Sequence, residues 1–327
     1  MRRGGERTMS VIYHIASAND WETALVAGIY APSSLDTVGF ILCARADQYV
    51  DLANARFAWQ RNLVLLFIDT NHLHGELRSV DMYGIPALRL DAPLPLNAVF
   101  EVASFAPDAD GRFSPHHETR ALAVRDEEAL DQIQGRALQA MSGFERRWWI
   151  AGGWAVDIFL GTKTRPHADL EIAILASNQA ALYQHLSLWD LRIAAPGAAF
   201  ALWDGQQLSA PYHQIWARQG HSRAETPHEF SSDPTMLDFL IEDHIDELWQ
   251  YRRHKQITRH IDEFGDVRDG IPFVRPEIAL LYKANAPRFK DQRDFERVMP
   301  VLDASARTWL RAALATAHPG NAWWRML

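Results

Sequence analysis

The sequence predicts an α+β protein of two domains, and three observations support this. The chain has 327 residues, which at roughly 150 residues per domain corresponds to about two domains. Short β-rich and helical segments alternate along the first half. A turn-rich stretch that contains prolines and acids, residues 107–115, then interrupts the pattern. Such a stretch is typical of a domain boundary.

The predicted first domain begins with a strand, because Val11–Ile15 is β-rich. Ser17–Asp20 has the S-x-x-D form of a capping box, which predicts a helix that Gly28 ends. The other elements expected before the boundary are strands at 38–43, 63–69 and 98–103 and a helix at about 47–57. We therefore expect a small β-rich domain at residues 11–113, preceded by a disordered N-terminus at residues 1–10.

Residues 114–144 are predicted to form a linker with a bridging helix. Within residues 127–141, apolar side chains recur at Leu130, Ile133, Ala137 and Leu138, which is the spacing of one helical face. The second domain is then expected at residues 145–327.

Composition and charge argue against several classes of protein. Lys and Arg number 33 and Asp and Glu number 41, and the net charge of -8 does not favour contact with nucleic-acid phosphates. The longest apolar run, Leu63–Ile68, is far shorter than the roughly 20 residues of a membrane helix. Cys43 is the only cysteine, which excludes an intrachain disulfide. Since no apolar segment of a secretory signal follows the N-terminus, we expect a cytoplasmic protein.

A pair of glycines follows a short apolar segment of the second half. Trp148–Ala151 is typical of a buried strand, Gly152 and Gly153 follow it, and residues 154–160 have helical apolar spacing. A strand, a glycine turn and a helix N-terminus can direct backbone N–H groups at a phosphate. A tight turn without a ligand is the alternative interpretation.

Two carboxylates lie two residues apart at Asp169 and Glu171, directly before the apolar run 172–175. Residues two apart on a strand share a face, so both side chains are expected to project together. Such a pair repels unless a cation lies between the two groups, and Mg²⁺ binds carboxylate and phosphate oxygens. The solvated face of an edge strand is the alternative.

A third acid, Asp238, lies within the apolar segment 236–241. Burial of a carboxylate in a strand is costly without a partner such as a metal. If this strand neighbours the Asp169 strand, Asp238 would complete the metal site or accept a proton from an attacking hydroxyl. Glu242 and Asp243 are nearby alternatives for that role.

Two longer motifs contain these residues. Gly-Gly-Trp-Ala-Val-Asp lies at 152–157 and Thr-Arg-Pro-His-Ala-Asp-Leu-Glu at 164–171, and related segments follow at 214–216, 275–284 and 288–295. Together they resemble the aminoglycoside-type nucleotidyltransferases of the DNA polymerase beta-like superfamily, over roughly residues 145–327. The resemblance implies a nucleotidyltransferase α/β core with a C-terminal helical part.

The resemblance also implies a role for each matching residue. The implied metal ligands are Asp169, Glu171 and Asp238, the implied catalytic residues are Asp238 and Lys283, and the implied nucleotide-binding residues are Gly152, Gly153, Arg165, Lys283 and Lys290. Two positions depart from the family pattern. Glu171 replaces the commoner aspartate, and Gly153 replaces a frequent serine.

The two lysines also allow a structural interpretation. Lys290 and Asp294 are four residues apart, so they can form an ion pair on an exposed helical face. Lys283 has apolar neighbours, which favours a partly buried stem whose ammonium faces a cleft.

Residues 11–113 resemble an uncharacterised bacterial domain family related to ADP-ribosyltransferases. The similarity rests on short segments at 12–16, 28–30, 39–41, 63–66 and 97–99. Leu42 and Ala87 replace two histidines of the family pattern, and neither side chain can hydrogen-bond or carry a proton. We therefore expect an inactive domain, with His14 as a core histidine whose hydrogen bonds are satisfied.

These observations lead to one main hypothesis and one alternative. The main hypothesis is a Mg²⁺-dependent nucleotidyltransferase that transfers a nucleoside monophosphate from an NTP, with ATP the expected donor, to a hydroxyl-bearing acceptor. An aminoglycoside-like small molecule, a tRNA end and a protein hydroxyl are the candidate acceptors, and the negative net charge favours a cationic small molecule. The alternative is a non-catalytic protein that binds nucleotides or a partner.

Overall fold

The computed structural model describes residues 11–116, 130–194, 200–220, 227, 230, 233 and 235–327. Contacts divide these residues into two units. The first unit contains the described residues up to 116 together with Arg288–Lys290, and the second contains the others. The predicted disordered N-terminus, residues 1–10, lies outside the described residues. Within the described part of the chain, no helix is both long and apolar enough to cross a membrane.

The first unit is β-rich and carries short helices. Its strands are β1 Val11–Ser17, β2 Ile29–Tyr30, β3 Ile41–Cys43, β4 Leu63–Asp69, β5 Leu77–Met82, β6 Ile85–Leu90, β7 Leu94–Pro95 and β8 Val99–Ser104. Its helices are α1 Ala18–Ala27, α2 Ser33–Thr37 and α3 Tyr49–Arg56. Antiparallel pairing gives the sheets β1-β4-β8, β3-β6-β5 and β2-β7.

Most of the predicted first-half elements are present. The Ser17 side chain accepts a hydrogen bond from the Asp20 N–H at 3.0 Å, and Gly28 ends α1 in the left-handed conformation at φ 77°. This is the predicted capping box and terminator. The β5–β6 hairpin is absent from the elements that the sequence predicts. Its turn places Tyr83 at φ 62°, where Asn or Gly would have been the recognisable signal.

The second unit is built on a seven-stranded mixed sheet, ordered β11-β12-β13-β10-β9-β18-β17. The strands of this unit are β9 Trp148–Ile150, β10 Glu171–Leu175, β11 Trp189–Ile193, β12 Gln214–Gln219, β13 Leu237–Glu242, β14 His244–Ile245, β15 Leu248–Gln250, β16 Thr258–His260, β17 Gly265–Arg268 and β18 Ile271–Val274. A smaller antiparallel sheet contains β14, β15 and β16. In the large sheet, β10 runs parallel to β13 and antiparallel to β9.

Helices complete the second unit. They are α4 Leu130–Ala140, α5 Gly152–Leu160, α6 Gln179–His185, α7 Pro276–Lys283, α8 Phe289–Val298, α9 Ala304–Ala317 and α10 Trp323–Met326. The C-terminal helices form the predicted helical part. Of the predicted bridging helix at 127–141, residues 127–129 lie outside the described residues, and the remainder is α4.

The protein is therefore an α+β protein with a small first unit and an α/β core in the second, as the sequence predicted. The central strands of the large sheet consist mainly of buried apolar residues, so their positions are fixed by packing. Ile172, Ala173 and Ile174 of β10 and Phe239 of β13 are fully buried. Polar groups at the start of these strands consequently occupy fixed positions at one edge of the core.

Candidate functional site

Three carboxylates meet where β10 and β13 begin. Glu171, the first residue of β10, is the register partner of Asp238 on the parallel strand β13. Asp169 lies two residues before Glu171, and one carboxylate oxygen from each of the three residues lies within 4.8 Å of the others. The sequence pattern predicts Asp169 inside the strand, whereas the strand begins at Glu171. We call this set of three residues the acidic cluster.

Backbone hydrogen bonds hold the acidic cluster against the glycine turn. The Ala151 N–H donates to the Glu171 carbonyl at 2.8 Å, and the Asp238 N–H donates to the Leu170 carbonyl at 3.0 Å. The Trp154 indole N–H donates to the Asp169 carbonyl at 3.0 Å. These bonds fix the backbone that carries each acid, so the position of the acidic cluster is set by the sheet and by α5.

The glycine turn touches the acidic cluster directly. Gly152 begins α5 with a left-handed φ of 62°, and a Cβ at this position would overlap Glu171 Oε2. A Cβ at Gly153 would overlap the His167 ring and the Arg165 guanidinium. The absence of side chains therefore lets the turn lie between the acidic cluster and a second group of charged residues.

Asp238 is the buried member of the acidic cluster, with 4% exposure. Burial raises the pKa of its carboxyl well above the ordinary value, and the charges of Glu171 and Asp169 raise it further. Gln214 Nε2 donates to Asp238 Oδ2 at 3.0 Å. Among the described residues, no group hydrogen-bonds to Asp238 Oδ1. A buried carboxylate oxygen without a donor, next to two more carboxylates, fits a hard divalent cation such as Mg²⁺.

Glu242, a predicted alternative to Asp238, lies at the other end of β13, where its register partner is Leu175. Trp249 Nε1 donates to Glu242 Oε2 at 2.8 Å, and the Tyr282 hydroxyl donates to the same oxygen at 2.5 Å. Asp243, the other alternative, forms an ion pair with Lys255. Asp238 is therefore the member of this set that reaches the acidic cluster.

Two of the predicted nucleotide-binding cations lie in a buried group of ion pairs. Arg165 donates through Nε and Nη2 to the two oxygens of Asp294, at 3.0 and 2.8 Å. Lys283 Nζ lies 2.9 Å from Asp291 Oδ1 and 3.0 Å from Asp294 Oδ2. We call these four residues the ion-pair network. Two carboxylates of α8 therefore receive the Lys283 ammonium, and a ligand would compete with them; that this ammonium faces a cleft stays a prediction.

The charges of the ion-pair network interact strongly because they are buried. Burial would raise the pKa of Asp294, but Arg165 and Lys283 outweigh burial and hold it well below its usual range. The Asp294 side chain is 1% exposed and that of Arg165 is 5% exposed, so water screens these charges little. Removal of the Asp294 charge would leave the buried Arg165 without its carboxylate partner.

His167 and Asp157 extend the ion-pair network toward the glycine turn, and neither residue is among the predicted site residues. His167 Nε2 lies 2.6 Å from Asp157 Oδ2, and the Thr164 hydroxyl donates to Asp157 Oδ1 at 2.6 Å. Burial and the Arg165 charge lower the pKa of His167 to about 4, so the ring is neutral near pH 7 and donates its Nε2 hydrogen to Asp157. A signal existed, because Asp157 is an acid within an apolar helix, as Asp238 is within an apolar strand.

Lys290, another predicted nucleotide ligand, is grouped with the first unit. Its ammonium lies 2.7 Å from Glu101 Oε2, and both side chains are at most 10% exposed. The structure thus places Lys290 beside Glu101, and it does not place this lysine in the acidic cluster.

His14 of the first unit has a partner at each ring nitrogen. Nδ1 lies 2.7 Å from the Leu42 carbonyl, and Nε2 lies 2.8 Å from the Tyr30 hydroxyl. A carbonyl only accepts hydrogen bonds, so Nδ1 carries the hydrogen and Tyr30 donates to Nε2. Burial lowers the pKa of His14 to about 4, which makes it a neutral core histidine near pH 7, as predicted.

Substitution Gly152→Ala tests the contact between the turn and the acidic cluster. The added methyl would displace Glu171 and would force a left-handed backbone onto alanine. We expect about a tenfold or greater loss of any Mg²⁺-dependent nucleotide binding, together with about 1–2 kcal/mol of lost stability. Titration of ATP with Mg²⁺, followed by thermal unfolding, measures both.

Gly143→Ala is the matched control for this substitution. Gly143 also has a left-handed φ of 81°, but a Cβ there meets no atom within 4 Å. It should therefore lose stability without losing nucleotide binding. Equal losses of binding in the two variants would contradict the assigned contact.

Comparisons with known proteins match each unit separately. Residues 135–193 match the family model of aminoglycoside-2''-adenylyltransferase. Among solved structures, ANT(2'')-Ia in complex with adenylyl-2''-tobramycin is 17% identical with a TM-score of 0.37, over 57% of this chain and 98% of that chain. The lincosamide antibiotic adenylyltransferase LnuA, lincomycin-bound, is 15% identical with a TM-score of 0.37, over 53% and 98% of the two chains. No curated protein matches the chain.

The first unit matches a different family. Residues 15–102 match the model described as protein of unknown function DUF952. The solution structure of protein CC0527 from Caulobacter crescentus is 31% identical with a TM-score of 0.29, over 32% of this chain and 91% of that chain. The first unit therefore resembles the family of unknown function DUF952, and the second unit resembles aminoglycoside-type nucleotidyltransferases.

Proposed function

We propose that the second unit is a Mg²⁺-dependent nucleotidyltransferase that transfers a nucleoside monophosphate from an NTP to a hydroxyl group. The acidic cluster carries this proposal, since three carboxylate oxygens within 4.8 Å of one another adjoin a glycine turn. The match of residues 135–193 to an adenylyltransferase family supports it and favours ATP as the donor.

Each residue of the site has a proposed task. Asp169, Glu171 and Asp238 would hold Mg²⁺, and the bound ion would offset the charge that develops on the phosphates. Backbone N–H groups at the start of α5, exposed by Gly152 and Gly153, would bind phosphate oxygens. Asp238 would also accept the proton of the attacking hydroxyl, since it lies opposite Glu171.

The buried cations take a different proposed task from the one that the resemblance implied. Arg165 and Lys283 face Asp291 and Asp294, so contact with a phosphate would first require them to leave carboxylate partners. We propose that Arg165 and Lys283 are positioning residues. The Arg165 guanidinium lies next to Gly153, and the ion-pair network holds it there. A nucleotide contact by Lys290 would likewise require it to leave Glu101.

A cationic small molecule is the proposed acceptor class. The chain carries a net charge of -8, which attracts cations and disfavours a tRNA end. The description of the matching family names an aminoglycoside, a polycation with many hydroxyl groups.

Transfer of label from an NTP tests the proposed reaction. The full chain is incubated with Mg²⁺, each α-labelled NTP in turn, and tobramycin, lincomycin, tRNA or a cell lysate. We expect label from ATP to enter the aminoglycoside, because the description of the matching family names an adenylyltransferase of aminoglycosides and the net charge of -8 attracts a polycation. Glu171→Gln should reduce transfer at least about 100-fold, since an amide binds Mg²⁺ poorly.

Glu247→Gln is the control for Glu171→Gln, because this exposed glutamate lies outside the acidic cluster. It should transfer label at the parent rate. Absence of transfer to every acceptor would contradict the proposed reaction.

Nucleotide binding without transfer is a second candidate function. The internal pairing of Arg165 and Lys283 favours it, because it leaves fewer cations to stabilise a pyrophosphate leaving group. In this case ATP with Mg²⁺ would raise the melting temperature. Asp169→Ala would abolish that increase, and no product would form.

For the first unit, we propose that no ADP-ribosyl transfer occurs. Leu42 and Ala87 provide neither an acid nor a base. Incubation of the chain with NAD should release no nicotinamide above a blank without protein. Release above the blank would show that other residues perform catalysis.

A further inference from the structure

The first unit contains a partly enclosed cavity of about 220 Å³ that none of the functions proposed above uses. It lies between β1, β3, α3 and the β5–β6 turn. Its apolar walls are formed by Val38, Phe40, Leu42, Leu52, Phe57 and Met82. A dry apolar cavity of roughly 150 Å³ is large enough to hold benzene. The volume here therefore suits one aromatic ring with a small substituent.

A single charge lies at this cavity. Arg56 is the one residue that is charged at neutral pH among the described residues that line it. Burial lowers the pKa of His14 to about 4 and raises that of Cys43 to about 12, so these two lining groups are neutral near pH 7. Arg56 is exposed and forms no ion pair within the described parts of the chain. Its guanidinium lies 5.3 Å from the centroid of the Phe57 ring, and this contact with the ring face leaves its N–H donors for an anion.

Two exposed apolar residues stand at the mouth of the cavity. Val38 is 60% exposed and Tyr83 is 61% exposed, and both line the cavity. Tyr83 also holds a left-handed backbone, at φ 62°, in a hairpin turn. That conformation is unfavourable for a bulky residue, and such strain is concentrated at binding sites. A ring that enters the cavity would cover both side chains.

We propose that this cavity binds a small aromatic carboxylate, with the ring between the apolar walls and the carboxylate paired with Arg56. The guanidinium provides a fork of donors that matches a carboxylate. A cavity of this volume is below the range of drug-sized ligands, so an intact dinucleotide does not fit inside it. The inference is independent of the nucleotidyltransferase proposal, since it uses residues of the first unit alone.

Binding of benzoate and benzamide to the full chain, measured by ligand-detected NMR, tests the proposal. The two probes have the same ring and nearly the same size, and they differ in charge. We expect benzoate to bind at millimolar concentration or below, and benzamide to bind at least about fivefold more weakly. Arg56→Gln should weaken benzoate about fivefold to tenfold and leave benzamide unchanged, because only the ionic contact is lost.

Two further variants make the result specific. Arg61→Gln removes the same charge from an exposed arginine of the first unit that does not line the cavity, and should leave benzoate binding unchanged. Val38→Trp fills the mouth at an exposed position and should weaken both probes. Equal binding of benzoate and benzamide, equal effects of the two arginine variants, or no binding of either probe at about 10 mM would each overturn the proposal.

Discussion

Asp238→Asn should abolish most nucleotidyl transfer while it preserves the fold and much of the nucleotide affinity. The amide cannot accept a proton, and loss of a general base costs about 100-fold to 10,000-fold in rate. We expect kcat to fall about a thousandfold, with the dissociation constant for ATP changed by only a few fold, because Asp169 and Glu171 would still hold Mg²⁺. Steady-state transfer of label and equilibrium titration of the nucleotide measure the two quantities separately.

The stability of the same variant separates a chemical role from a structural one. Asp238 is buried, its carboxyl is repelled by Glu171 and Asp169, and its Oδ1 has no hydrogen-bond partner among the described residues. Without Mg²⁺, a neutral amide should therefore unfold at the parent temperature or above it. A variant that loses activity only in proportion to a lower melting temperature would show that Asp238 is a structural residue. Gln214→Ala, which removes the donor to Oδ2, should have a much smaller effect on kcat.

The sequence predicted the acidic cluster because each member has a local signal. Asp169 and Glu171 precede an apolar run, and Asp238 interrupts another, so each was expected at a buried strand. The prediction of three clustered acids depends on β10 and β13 being adjacent strands. The structure confirms that they are, since Glu171 is the register partner of Asp238. The start of β10 was misplaced by two residues, because pattern alone does not show where pairing with a neighbouring strand begins.

The sequence contains no comparable local pattern that identifies the carboxylates paired with Arg165 and Lys283. Arg165 and Asp294 are 129 residues apart, and no local pattern reports a contact over such a separation. The apolar neighbours of Lys283 correctly indicated a buried stem, but they could not show whether a ligand or a carboxylate would receive the ammonium. The turn of the β5–β6 hairpin was missed for a local reason, since tyrosine rarely adopts a left-handed backbone.

Asp294→Asn should destabilise the second unit more than any other single substitution considered above. The change leaves Arg165 buried without its bidentate partner and leaves Lys283 with Asp291 alone. Loss of one member of a buried ion pair costs about 3–5 kcal/mol, which corresponds to a fall of about 10 °C in the melting temperature of a unit of this size. Thermal and denaturant unfolding at neutral pH measure the loss.

The stability lost in Asp294→Asn should become smaller as the pH falls. The folded-state pKa of Asp294 lies well below that of an unfolded aspartate. The free energy of unfolding that the ionised Asp294 contributes is therefore fully present above about pH 4, and it declines as the pH falls toward the folded-state pKa. Glu296→Gln makes the same charge change on α8, but Glu296 is 41% exposed in its pair with Arg293, so it should cost less than about 1 kcal/mol. Unfolding of the two variants at the same temperature would show that the ion-pair network does not stabilise the second unit, and it would contradict the positioning role proposed for Arg165.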